Sequence, residues 1–68
     1  MNIKIVAIGE RVKFLLKMKG WSQAEFARRL GKEEAQVSRW LNGKKNITLN
    51  TIIHMEQILN NNIITVTL

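Results

Sequence analysis

Few side chains in this 68-residue chain could carry bond-making chemistry. One histidine, His54, and five glutamates stand against no Asp, no Cys and no Tyr, so neither a Ser-His-Asp triad nor a Cys-His dyad nor a thiolate zinc site can be assembled. A metal would have to rest on His54 and scattered glutamates, whereas zinc sites draw three or four ligands from clustered His, Cys and carboxylates. No catalytic residue, metal site or cofactor is therefore expected. What remains is charge. Eleven Lys plus Arg against five Glu leave a net +6, which points to a polyanionic partner. The charge is also lopsided: residues 1–45 hold all eleven cations and four glutamates, a net +7, while residues 46–68 hold only Glu56, a net −1. Counterion release would turn such a basic half into salt-sensitive affinity for a polyanion.

Size limits the elements that can position these charges. A chain near 60 residues buries only about 60% of its unfolded surface, so a single domain over residues 1–68 is expected, with little stability to spare. Disulfides and metals, two of the usual supports of a small fold, are excluded by composition, which gives weight to oligomerisation. The lack of cysteine fits a reducing compartment. No apolar stretch approaches the roughly 20 residues of a membrane span. The N-terminal segment faintly resembles a signal peptide, but its apolar part is short, broken by Lys4 and followed by no small-residue cleavage site. A soluble cytoplasmic protein without membrane contact is expected.

With no proline, repeat or low-complexity run, the chain is punctuated by glycines and polar caps. Ile8, Val12, Leu15 and Leu16 form one stripe of a first helix between Val6 and Lys19, and Gly20 suits its left-handed end. Ser22-Gln23-Ala24-Glu25 reads as a capping box opening a short helix with Phe26, Ala27 and Leu30 inward. A third helix begins around Glu33 with Val37, Trp40 and Leu41 inward and ends at Asn42-Gly43. Thr48 caps a fourth, whose expected buried stripe is Leu49, Ile52, Met55 and Leu59, and Asn60-Asn61-Asn62 breaks it. The tail Ile63-Ile64-Thr65-Val66-Thr67-Leu68 is β-branched and partly alternating, which favours a strand. A lone strand needs a partner: the Ile3–Val6 segment if that is extended, or the same tail of a second copy.

Two short helices separated by Leu30-Gly31-Lys32-Glu33, with small Ala27 on one and Val37 and Trp40 on the other, meet the steric needs of a helix-turn-helix. Here the sequence resembles the Xre/Cro/phage-repressor family. The matching residues are Gly20-Trp21-Ser22-Gln23-Ala24-Glu25-Phe26-Ala27-Arg28-Arg29-Leu30-Gly31 and Val37-Ser38-Arg39-Trp40-Leu41-Asn42-Gly43-Lys44, followed by Asn46-Ile47-Thr48-Leu49. The resemblance covers roughly residues 8 to 60. It implies an all-α, compact four- to five-helix repressor-like domain that binds operator DNA, here followed by the short C-terminal β-strand. By the same resemblance Gln23 contacts a phosphate and braces the reading helix. Glu34, Ala35, Gln36, Ser38 and Arg39 lie at or near the major groove, and Lys44, Lys45 and Asn46 hold the DNA backbone. The chemistry is compatible, since Gln pairs with adenine edges, Ala meets a thymine methyl and Arg forks onto guanine or holds phosphate. The sequence departs from the family where Lys32 replaces a common branched apolar residue and Glu33 a common capping serine. Glu33 and Glu34 bring two negative charges toward a polyanion; Glu34 could accept from a cytosine amino group, or the pair could mark a surface for another protein.

The remaining residues have plainer readings. Arg28 and Arg29 default to a solvated face, Trp21 and Trp40 to the core, and His54 to the exposed side of the fourth helix. Phe14 and Met18 fall off the buried stripe and give a second apolar surface. The function expected is a small dimeric repressor on an inverted-repeat operator in double-stranded DNA, paired through Ile63, Ile64, Val66 and Leu68. Two alternatives stand beside it: the autorepressing antitoxin of a toxin–antitoxin pair, and a protein-interaction module that has kept the fold and lost DNA binding.

Overall fold

The first helix, α1 (Ile5–Lys19), forms because Ile8, Val12, Leu15 and Leu16 recur at the spacing that lines one helical face, and all four are buried. The computed structural model describes residues 5–63, with side-chain surroundings from Ile8 onward. α1 stops at Gly20, whose φ of 72° is the left-handed conformation that costs glycine nothing. There the Gly20 N–H donates to the Lys17 carbonyl at 3.2 Å and the Trp21 N–H to the Leu16 carbonyl at 3.0 Å, the paired bonds of a Schellman ending.

Ser22 then opens α2 (Gln23–Leu30), its hydroxyl accepting from the Glu25 N–H at 3.1 Å. Only half of the expected capping box forms. The Glu25 carboxylate does not reach back to the Ser22 backbone; it takes Arg28 and Arg29 along its own helix. Gly31, at φ 73°, closes α2, and Lys32 and Glu33 lead into α3 (Glu34–Leu41). Glu33 occupies the cap position with extended backbone, but its side chain makes no cap hydrogen bond. α4 (Leu49–Leu59) is capped by Thr48, whose hydroxyl accepts from the Thr51 N–H at 3.2 Å, and ends at Asn60 in the left-handed conformation. Among the described residues these are the four helices, in an all-α arrangement, and no strand occurs.

Phe26, Val12, Val37, Met55 and Leu59 reach zero exposure, so all four helices contribute to one core. α1 packs against α3, and α2 packs against both α3 and α4. Gly9 is the close point of the first contact: a Cβ built there would stand 2.8 Å from the Leu41 carbonyl carbon and nearer still to its oxygen. Leu49, expected in the buried stripe of α4, is 61% exposed. It is the first residue of the helix, in line with Ile52 but beyond the point where the buried face ends.

Of the tail, only Ile63 is described. It packs partly buried against the core of its own chain, and its N–H donates to Glu56 Oε2 at 2.7 Å. The rest of the expected strand, including Ile64, Val66 and Leu68, lies outside the described residues. Ile5 and Val6, weighed as an extended partner for it, belong to α1; Ile3 and Lys4 also lie outside.

Candidate nucleic-acid interface

α3 is gripped along one side and bare along the other. Val37, Trp40 and Leu41 are 0%, 5% and 1% exposed, which fixes the helix on α1 and α2. At 3.6 residues per turn the opposite side carries Ala35 and Arg39, one turn apart and both exposed; Glu34, also exposed, stands at the start of the helix on the row of Val37 and Leu41. Gln36 and Ser38 sit at the margins, partly buried. With its side chains an α-helix is about 10–12 Å across, which the roughly 12 Å width of the B-DNA major groove admits. Rigid seating of such a helix is what an element projecting into a groove requires, because side chains reading base edges must be held in place by packing behind them.

The turn beyond α3 is also fixed in its backbone. The Asn42 N–H donates to the Ser38 carbonyl at 3.0 Å, the Gly43 N–H to that of Trp40 at 3.2 Å and the Lys44 N–H to that of Arg39 at 2.8 Å. Gly43 takes φ 71°, so the chain reverses sharply and leaves Lys44, Lys45 and Asn46 exposed beside the end of α3. Gln23, the first residue of α2, is partly buried at that helix's start.

The cations on and around α2 and α3 fall into two groups. Arg28 and Arg29 share the Glu25 carboxylate, Arg28 through Nε at 2.9 Å and through its terminal amino group, Arg29 through Nε at 3.1 Å. Arg28's hydrogen bonds hold the Glu25 carboxyl below its usual range against some opposing desolvation, and Glu25 in turn raises the Arg28 guanidinium. Arg29 also lies over the Trp21 ring at 4.2 Å, and the Lys19 ammonium approaches the same ring at 5.3 Å. Trp21 is thus half core and half cation platform, whereas Trp40 is core, its buried indole N–H without an acceptor among the described residues. Lys32, Arg39, Lys44 and Lys45 make no ion pair and no side-chain hydrogen bond among the described residues. They flank or lie on the bare side of α3. Free cations keep their whole charge available to a polyanion.

Three positions that tie α1 to α3, Lys13, Asn42 and Gly9, were not singled out from the sequence for that role. Lys13 Nζ donates to Asn42 Oδ1 at 2.8 Å, and Asn42 Nδ2 donates to Ser38 Oγ at 3.3 Å, so α1 is tied through the C-cap of α3 to a side chain at the margin of its bare face. The partners are 29 residues apart, beyond the reach of periodicity. Gly9 carried a fainter signal: a glycine inside a helix costs about 0.5–1 kcal/mol relative to alanine, so its presence in the buried stripe of α1 asks for a packing reason.

Two short helices joined by a tight glycine turn, the second seated on the core and bare outward, define a helix-turn-helix protein. The helix-turn-helix family model matches residues 12–64, and the chain belongs to this Xre/Cro/phage-repressor-like family. That family consists of DNA-binding regulatory domains and not of enzymes. No curated protein and no solved structure is significantly similar to the chain. Among the described residues no cluster of three metal-ligating side chains occurs, and no helix is long and apolar enough to cross a membrane.

Proposed function

We propose that this DNA-binding regulator is a single-domain, dimeric transcriptional repressor of the cytoplasm that reads an inverted repeat with the outer side of α3. The observation that carries the reading is the contrast across that helix. Val37, Trp40 and Leu41 are locked inward, while Ala35 and Arg39 stand bare and Lys32, Lys44 and Lys45, unpaired among the described residues, flank the helix. Arg39 forks onto a guanine edge, Ala35 meets a thymine methyl, and Glu34, Gln36 and Ser38 offer hydrogen bonds at the groove walls. Gln23, Lys44, Lys45 and Asn46 hold phosphates and set the register. The dimer pairs Ile64, Val66 and Leu68 of two copies, with Ile63 as anchor; the small core of a 68-residue chain supports it.

A second reading, in which the same repressor is the antitoxin of a toxin–antitoxin pair, is favoured by Phe14 and Met18. These apolar side chains on α1 are 53% and 71% exposed and face away from the α2–α3 unit's core contacts. Selection of bound fragments from random duplex DNA tests the main proposal. Enrichment of an inverted repeat with half-site centres about 10 base pairs apart, or a multiple of that, supports a dimer reading two successive turns. Recovery of no preferred sequence refutes sequence-specific reading.

A further inference from the structure

We infer that Lys13, acting through Asn42, fixes the Ser38 hydroxyl as a hydrogen-bond donor toward the DNA, so that residue 38 recognises acceptor atoms there. The inference rests on the interface proposed above and adds a positioning relay from α1 to it.

The direction of the relay follows from donor and acceptor inventory alone. A lysine ammonium has three donors and no acceptor, so the Asn42 atom facing Lys13 Nζ at 2.8 Å must be the carbonyl oxygen. The other end of the amide, facing Ser38 Oγ at 3.3 Å, is then the NH2 group, which only donates. Ser38 Oγ therefore accepts from Asn42, and its own hydrogen has no acceptor among the described residues. Polarity runs one way, from ammonium to amide to hydroxyl to whatever lies outside, and each bond in such a chain strengthens the donor after it.

The relay is built into the fold. Asn42 is the C-cap of α3, its N–H bonded to the Ser38 carbonyl, and Lys13 is partly buried on α1, whose packing against α3 is set at Gly9. Glu10, the nearest carboxylate to Lys13, stands 3.9 Å away, so the ammonium's short contact is with Asn42. An isolated serine would donate or accept with little preference. This one has one of its two acceptor positions filled by Asn42 and its proton free, which biases it toward guanine O6 or N7, adenine N7, thymine O4 or a phosphate oxygen over cytosine and adenine amino groups.

The test is a double-mutant cycle on the full chain, read as affinity for its selected duplex and accompanied by thermal melts. Asn42→Asp keeps the Lys13 contact but accepts from both sides, so it consumes the Ser38 proton and reverses the relay. It is expected to weaken binding about tenfold with Ser38 present and about threefold or less in a Ser38→Ala background, where only the added charge counts. Equal losses in the two backgrounds overturn the relay. Lys13→Met is the second variant should Asn42→Asp melt early: it frees the amide to flip, and its cost too must shrink when Ser38 is absent. If the Ser38→Ala loss is confined to one base pair and N7-deaza or O-to-amino substitution of that base's acceptor abolishes it, the partner is a base acceptor; if the loss is uniform over sequences, the acceptor is a phosphate; a loss abolished only by removing a base amino group overturns donation. A wild-type chain that binds no duplex overturns the interface itself, whereas binding with zero coupling overturns the relay alone.

Discussion

Gly9 of α1 lies against the carbonyl of Leu41, the last residue of α3, so closely that any Cβ would stand 2.8 Å from the carbonyl carbon. The element bearing the proposed reading face is therefore positioned by a backbone-to-backbone contact. Gly9→Ala gains helix propensity of about 0.5–1 kcal/mol but forces the helices apart in a core without slack. A net destabilisation of about 1–3 kcal/mol is expected in urea unfolding. An unchanged or raised midpoint would show that the contact is loose.

The fold was legible where its determinants are local. Ser22 with Glu25 and Thr48 with Thr51 announce helix starts a few residues from the atoms they cap, and Gly20, Gly31 and Gly43 mark reversals at their own positions. Legibility failed where two segments meet. Periodicity put Leu49 in the core, yet only the placement of α4 decides how far the buried face reaches, and it stops short of that residue. The Lys13–Asn42–Ser38 chain joins positions that no motif links. Glu25 was read as a cap ligand because its spacing from Ser22 is right, but two arginines one turn on attract the carboxylate more strongly.

Glu25 gives α2 a pH signature. Its carboxyl is held below the ordinary 4.5 chiefly by Arg28, so the ionised form is favoured by folding. The contribution is present above the unfolded value and is lost as pH falls through the lowered one. Glu25→Gln should reduce the melting temperature slightly at pH 7, with the difference from wild type closing as the solution is acidified below 4.5. Exposure keeps the effect small.

Arg39 and Lys45 should fail in different ways. Arg39→Ala, removing a proposed base contact, is expected to cost about 1–3 kcal/mol on the selected operator and to relax preference at one base position. Lys45→Ala should weaken all duplexes alike and reduce the salt slope by about 1. Competition titrations with single-base operator variants separate the two patterns; identical behaviour would place Arg39 on the DNA backbone.

Removal of residues 64–68 tests the proposed pairing. Sedimentation at micromolar concentration should show a dimer for the full chain and a monomer for the shortened one. Ile63 is retained because it packs on its own core and bonds Glu56. A dimer for both chains would put the contact elsewhere, and a monomer for both would remove the dimer.

The most direct test of DNA binding by the basic half is the salt dependence of affinity for a short labelled duplex, followed by fluorescence anisotropy. A basic patch making about five phosphate contacts, with Lys32, Lys44 and Lys45 proposed among them, predicts a log–log slope of about −4 to −5 between 50 and 200 mM salt. No measurable binding at about 50 mM salt would contradict the interface and favour a protein-interaction surface marked by Glu33 and Glu34.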